Sequence, residues 1–290
     1  RTIDKLEQIT RSLGKAGKPF ADGTLCDTLR PGSQNFRVAI DEIPIIFLAH
    51  PQNRKPEFGI EYTVAIYSKV LHQLEEIADR KANDDDLREA IKVCNESRKA
   101  RREFVKKTGK HPELVSAVQR SAVLKSATFM EKPKHTAMLK ELNDLLDASP
   151  AAEWSGTRGV TSGIICDNPS LLQSFDDNRI AIVSDDIAHE SRSFRKDASE
   201  EGDPIRSLAR QFADQDQDTI LYDPALNSRP AHIIDLVKNS DAQGVIVLMM
   251  TFCDPEEMEY SSLHKALKDT KIPCLKIGYN HQITDFGQAR

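Results

Sequence analysis

The stretch Val245-Ile246-Val247-Leu248-Met249-Met250-Thr251-Phe252-Cys253-Asp254-Pro255-Glu256-Glu257 decides the fold. Six consecutive apolar residues suit a strand buried on both faces, as in a parallel sheet covered by helices. Asp254 is placed as an N-cap and Pro255 as the first helical residue, so the strand passes almost directly into a helix that reaches about Lys268. Cys253 stands at that junction.

Working outward, the alternation of strand and helix recurs. Pro273–Ile277 reads as the following strand. Upstream, Val160–Ile165 and Ile180–Val183 read as strands, with helices from Pro169, over Pro204–Phe212 and over Pro230–Lys238. Alternating strands and helices with continuous apolar strands predict an α/β fold whose C-terminal domain is a doubly wound, flavodoxin-like parallel sheet. Ser149-Pro150-Ala151-Ala152 marks its start.

Before that boundary the pattern is helical. Phe58–Asp79 carries Ile60, Val64, Tyr67, Val70, Leu71 and Leu74 mostly three or four apart, the stripe of an amphipathic helix. Asp84-Asp85-Asp86 opens a second helix to about Lys107, and Glu113–Met130 and Lys134–Leu146 give two more. Further upstream, Ile3–Leu13 is a short helix and Ile43–Leu48 a buried strand. The organisation expected is residues 1–56 as the remnant of an N-terminal α/β domain, 57–150 as a helical region, and 151–290 as the C-terminal α/β domain. The chain starts on Arg1 and stops on Arg290 with no stop signal, which reads as a fragment truncated at both ends.

The bulk numbers set limits. A chain of 290 residues accommodates about two domains. A net charge of −5 gives no broad basic footprint for nucleic acid. The longest apolar run is far short of the ~20 residues of a membrane span, and no secretory signal is present. Five widely spaced cysteines, an odd number, do not form a secreted disulfide framework, so a cytoplasmic location is expected. No Cys-x-x-Cys pair exists, so any metal site must draw on distant segments.

Ligands of open parallel sheets bind outside the carboxyl ends of the strands. Three loops answer to that rule. Cys253 lies at a helix N-terminus, whose partial positive charge favours a thiolate, so it suits a soft-metal ligand or a nucleophile; the same position also suits a small buried hydrophobe. Ser184-Asp185-Asp186 through Arg192 and Arg195 combines carboxylates and guanidiniums, which could hold a phosphate or carboxylate, or could be a solvated charged loop. Cys166 in Ile165-Cys166-Asp167-Asn168-Pro169 repeats the form of the Cys253 loop and reads as a structural cysteine. Cys26-Asp27 repeats the Cys-Asp pair after a turn, while Cys94 and Cys274 read as core residues.

Several strings then carry a resemblance. They are Leu25-Cys26-Asp27-Thr28-Leu29, His50-Pro51-Gln52-Asn53-Arg54-Lys55, Ile164 through Pro169, Val183 through Arg195, Gln243 through Glu257, and Gln288-Ala289-Arg290. In order and over nearly the whole chain, they resemble the 2-hydroxyacyl-CoA dehydratase family, most closely its smaller, beta-type subunits. The resemblance implies a lyase of anaerobic amino-acid fermentation, built as a heterodimer that carries [4Fe–4S] clusters. It implies that Cys26 and Cys253 are cluster ligands, that a third ligand lies upstream of Arg1, and that Cys166 is a weak substitute for it. Asp27, Asp185, Asp186, Arg192 and Asp254 would surround the cluster or an interface. Implied partners are a larger alpha-type subunit, an ATP-dependent iron–sulfur activator and an acyl-CoA substrate; a flavin is not readable from the residues.

The chemistry shows why such a cofactor is needed. Dehydrating a 2-hydroxyacyl thioester requires loss of a beta proton that the thioester does not acidify. Environmental tuning moves a side-chain base by only a few pKa units, too little to take it. The family solution is a single electron that reduces the thioester to a ketyl radical anion, with hydroxide then expelled. The resemblance assigns this chain the electron-relay role. Two other readings stay open: a benzoyl-CoA reductase-type subunit, and a cluster-free subunit supporting a catalytic partner.

Overall fold

The computed structural model describes residues 46–51, 53–150, 152–215 and 227–280. These fall into two compact units. One holds 46–92 and 198–214, the other 93–197, 215 and 227–280.

In the first unit, α1 (Glu57–Ala78) follows Pro56 and ends where Asp79 turns left-handed at φ 48°. Its apolar stripe is short: Ile60 and Val64 pack on Ala209 and Ala213 of α7 (Pro204–Gln215). Around that seam Arg206 and Arg210 pair with Glu57, at 2.7 and 3.1 Å. The strand expected over Ile43–Leu48 does not form across its described part. Residues 46–50 are irregular and Phe47 is exposed, because no described strand offers them a hydrogen-bonded ladder. Residues 43–45, like the helix expected over Ile3–Leu13, lie outside the described residues. The string at His50 is local to this unit. The His50 ring stacks on Phe212 at 4.0 Å, and its Nε2 lies 3.3 Å from the Tyr67 hydroxyl.

Helix α2 (Asp84–Lys110) begins with three aspartates in its first turn. Its free N–H groups are met by the Asn83 side chain, which accepts from Asp85 and Asp86 at 2.9 and 3.0 Å. The greater part of α2, from Val93 on, belongs to the second unit. There Phe104 packs with Val123 of α3 (Ala117–Ser126) and with Leu139, Leu142 and Leu146 of α4 (Lys132–Asp147). The expected start of α3 at Glu113 moves to Ala117. Ser116 and Gln119 form a reciprocal capping box there, which fixes the first turn.

The second unit then builds a four-stranded parallel sheet from β1 (Thr157–Gly163), β2 (Ile180–Ile187), β3 (Gly244–Met250) and β4 (Cys274–Tyr279), in the order β2-β1-β3-β4. Between the strands run α5 (Pro169–Asp177), the short α6 (Ser191–Phe194), α8 (Arg229–Asn239) and α9 (Asp254–Asp269). The apolar run of β3 has a direct use. Ile246 and Leu248 face Leu171, Leu172 and Phe175, while Val245, Val247 and Met249 face Ile233, Val237, Leu263 and Leu267. Both faces are covered, so alternation is absent from the sequence. Each fully buried leucine or isoleucine contributes about 1.5–3 kcal/mol.

Two boundaries differ from expectation in a way that matters for the site. β2 runs on to Ile187 instead of stopping at Val183, so Asp185 and Asp186 are strand residues and not loop residues. In α9 the N-cap is Cys253 and Asp254 is already helical.

Gly163 ends β1 with a φ of 152°, and a Cβ there would lie 2.4 Å from the Leu248 carbonyl oxygen of β3. Gly163→Ala is therefore expected to lower unfolding free energy by about 1–3 kcal/mol, the usual range for overpacking. Urea denaturation monitored by circular dichroism measures it; an unshifted midpoint would contradict this packing.

Candidate functional site

The carboxyl ends of β1, β2 and β3 converge on a set of buried charges. At its centre is Arg229, only 3% exposed at the first position of α8. Its guanidinium donates to Asp186 at 2.8 Å, to Glu256 at 2.9 Å, to the Ser162 hydroxyl at 3.1 Å and to Glu259. Asp186 gathers further cations: Arg192 at 3.0 Å and Arg195 at 3.2 Å. Three carboxylates therefore meet three guanidiniums in one buried network. The guanidiniums beside Asp186 hold its carboxyl well below the usual range, against the opposing effect of burial.

A second network adjoins it on β2. Arg120 of α3 is buried and donates to both Asp185 and Glu190. Asp185 also accepts from the backbone N–H of Ile187 and Ser191, each at 3.1 Å, and from the Ser191 hydroxyl at 2.6 Å. One guanidinium thus serves two carboxylates. Burial, with the Asp185 charge adding to it, pushes the Glu190 carboxyl up, although Arg120 opposes this.

Cys253 sits beside the first network, at the β3–α9 junction, and is 9% exposed. The junction is tight. Its N–H donates to Met250 at 3.2 Å and its carbonyl accepts from Glu257 at 3.0 Å. The preceding Phe252 is held at φ 66°, a costly conformation for a bulky side chain, with the ring 81% exposed. Backbone strain of this kind concentrates at functional sites. The thiol itself behaves otherwise than its helix-end position suggests. Burial pushes its pKa up, outweighing the Glu256 N–H that stabilises the thiolate, and Glu256 and Asp254 add to the rise. Burial therefore favours the thiol form of Cys253, and a positive charge at the site would favour the thiolate.

Cys166 is buried in the apolar cluster of Leu171, Leu172 and Phe175, and burial raises its thiol strongly. Tyr279 at the end of β4 adjoins both cysteine loops. Its hydroxyl donates to the Ile165 carbonyl at 2.6 Å, and its backbone carbonyl accepts from Thr251 at 2.9 Å. Cys94 is partly exposed, and Cys274, also partly exposed, packs against the cluster of Val245, Val247 and Leu263.

Of the residues singled out from sequence, Asp185, Asp186 and Arg192 lie in the buried networks, and Cys253 is next to them. Asp254 is exposed in the first turn of α9. Cys26 and Asp27 lie outside the described residues, so their relation to Cys253 is not on view. Arg229, Glu259 and Arg120 escaped sequence reasoning, while Glu190 lies within the charged stretch singled out from Ser184 to Arg195. The i, i+3 spacing of Glu256 and Glu259 on one helix face was a usable signal; nothing local marks Arg229 or Arg120. Among the described residues no three His, Cys, Asp or Glu side chains converge as a metal-binding set. The donor chemistry of a cysteine sulfur is of the kind that suits an iron–sulfur centre, and Cys253 is the strand-end cysteine beside the charge network.

An open α/β sheet with a strand-end cysteine over a buried charge network defines a class of site rather than one protein. Comparison makes it specific. Residues 9–290 match the family described as 2-hydroxyglutaryl-CoA dehydratase, D-component, and the chain belongs to that family of dehydratase (hydro-lyase) subunits. It is 51% identical over 270 residues to the beta subunit of (R)-2-hydroxyglutaryl-CoA dehydratase from Acidaminococcus fermentans, covering 92% of this chain and 71% of that one. It is 38% identical to the (R)-phenyllactyl-CoA dehydratase beta subunit of Clostridium sporogenes, over 91% of this chain and 70% of that one. A benzoyl-CoA reductase polypeptide of Thauera aromatica is 26% identical, over 96% of this chain and 74% of that one.

Two outcomes are expected of the charge network. Arg229→Met leaves Asp186, Glu256 and Glu259 short of their common partner and should cost about 3–5 kcal/mol, the range for breaking a buried pair; a midpoint in urea unchanged from wild type would count against the network. Asp186 supplies the pH dependence. Its folded pKa is depressed, so its contribution is complete above the unfolded value of about 4 and is lost as pH falls from there towards the folded value. Acid unfolding followed below pH 4 should therefore be steeper for wild type than for Asp186→Asn, and equal slopes would contradict the assignment.

Proposed function

We propose that this chain is the electron-relay subunit of an (R)-2-hydroxyacyl-CoA dehydratase and that Cys253 is one thiolate ligand of its [4Fe–4S] cluster. The observation that carries the reading is the β3–α9 junction. A cysteine is held at the carboxyl end of the central apolar strand by a strained Phe252 and by a network of buried ion pairs, in a chain whose relatives are named as dehydratase beta subunits. A bound cluster would supply one-electron transfer. The chain's own part is to hold Cys253 in place, to exclude water through the packed strand ends, and to set the local charge through Arg229 and Glu256.

The remaining parts of the reading follow from this. Cys26 is the second ligand, so the ligand set is drawn from separate parts of the subunit. Cys166, sealed in an apolar cluster behind Leu171 and Phe175, is not needed for it. The partner is an alpha-type subunit, which the word beta in the relatives' names implies, and an ATP-dependent activator delivers the electron in the cytoplasm. The strand order β2-β1-β3-β4 is the one a flavodoxin-like sheet would start with. Among the described residues no helix is long and apolar enough to cross a membrane.

The test uses the full-length subunit with its partner, purified without oxygen. Cys253→Ser should remove most of the broad visible absorbance and the iron bound to this subunit, whereas Cys166→Ser should keep both. Unchanged absorbance in Cys253→Ser would overturn the ligand assignment. Product analysis addresses the reaction: a trans-2-enoyl-CoA without net reduction supports the dehydratase, and a cyclic diene thioester would make the protein a ring reductase.

A further inference from the structure

Helix α1 of the first unit carries a second apolar line besides the one that packs on α7. Phe58, Tyr62, Ile66, Val70 and Leu74 follow one another at every fourth position, and Ile77 closes the series. Side chains four apart on a helix are neighbours, so this is one continuous ridge, of the kind that packs into the groove of another element. It runs for about 29 Å at 1.5 Å per residue. Phe58 is 67% exposed, and Tyr62, Leu74 and Ile77 are each exposed by about half. None of the buried clusters among the described residues takes these side chains in; α1 gives its own cluster Ile60 and Val64.

Contiguous apolar surface on this scale marks an interaction site, and the chain itself leads to the occupant. The described residues begin at Ile46, and their first anchor is His50. Its ring meets Tyr67, in the middle of α1, edge-on at 6.0 Å, and its Nε2 lies 3.3 Å from the Tyr67 hydroxyl. Asn53 lies directly on the first turns of α1, where a Cβ on Gly59 would come within 2.2 Å of the Asn53 carbonyl oxygen. The four residues from Ile46 to His50 reach at most ~14 Å. Ile66 and Val70 stand on either side of Tyr67 in the helix. The chain that precedes Ile46 therefore departs from beside the midpoint of the ridge. After the Gly17-Lys18-Pro19 break it carries Phe20, Leu29, Phe36, Val38, Ile43 and Ile45, enough large apolar side chains to match the ridge. Phe47, at the described end of the same apolar run, is exposed as well.

We propose that the ridge from Phe58 to Ile77 is the seat of this chain's own residues 19–45. A segment tethered next to its seat acts at an effective concentration on the order of millimolar, which a separate subunit or a second copy does not reach in solution. The tether is short and is already fixed to α1 through His50 and Asn53, so little further freedom is lost when the segment settles. The docking also gives a purpose to the stacking of His50 on Phe212 at 4.0 Å and to the Arg54 guanidinium 4.3 Å over the same ring: they set the point from which the segment departs. Residues 19–45 include the Cys26 string, so the ridge holds that string to the first unit. The docking itself does not rest on the cluster reading; only the importance of Cys26 does.

The test is site-specific photo-crosslinking in the full-length protein in complex with its partner. The photoreactive residue p-benzoylphenylalanine replaces Tyr62 in one sample, Leu74 in a second and His72 in a third, and the crosslinked peptides are identified by mass spectrometry after irradiation. His72 faces Glu76, away from the ridge, and serves as the control. Tyr62 and Leu74 should each give crosslinks to peptides within residues 19–45, at a yield at least tenfold above that from His72. Should the Tyr62 variant fail to fold by circular dichroism, Phe58 takes its place with the same expectation. Crosslinks that run mainly to the partner subunit would assign the ridge to the subunit interface, and crosslinks to a second copy would assign it to self-association; either overturns the proposal. Yields from Tyr62 and Leu74 no higher than from His72 overturn it as well. The readout is the same whether or not iron is bound, so failure of the cluster reading leaves the test standing.

Discussion

Arg229 is the constraint on which the site depends. Its guanidinium ties the ends of β1 and β2, through Ser162 and Asp186, to the first turns of α9, through Glu256 and Glu259. Cys253 immediately precedes those turns, so this side chain acts together with the tight β3–α9 junction to fix the cysteine relative to the sheet. Buried ion pairs are weak evidence for stability as such, because desolvation offsets much of the attraction. Their worth here is geometric. With three acids and three bases interlocked, any displacement of α9 exposes an unpaired charge, which makes one arrangement of the loop far better than its neighbours.

The parts of the fold legible in the sequence were those with a repetitive physical signature. Val245 to Met250 is apolar because both faces of β3 are covered, and Pro255 and Pro169 mark helix starts because proline suits a first turn. The end of β2 was not legible. Ser184, Asp185 and Asp186 look like the start of a solvated loop, and the partners that bury them, Arg120 and Arg229, stand 65 and 43 residues away along the chain. A charged residue satisfied at long range gives no local sign of burial. In the described part of the strand expected over Ile43–Leu48, residues 46–48 are irregular, because an apolar run marks a strand only where a neighbouring strand pairs with it.

Cys253 shows how position and environment can disagree. A helix N-terminus draws a thiol towards the thiolate, yet burial, with Glu256 and Asp254 adding to it, prevails and pushes the pKa up. Such a thiol is a poor free nucleophile, and the ligand role proposed for it relies on a bound cation to supply the charge that the pocket lacks. The chain belongs to the 2-hydroxyglutaryl-CoA dehydratase D-component family, and the ligand role proposed for Cys253 rests on that resemblance together with its place at the strand end.

The most direct measurement is an anaerobic crystal structure of the full-length subunit with its partner, with anomalous differences collected across the iron absorption edge. The account predicts an iron peak within bonding distance of the Cys253 sulfur, at the carboxyl end of β3, with the ion pairs of Arg229 intact beside it. Iron on Cys166, or no iron near Cys253 in protein that retains its cluster colour, would contradict it.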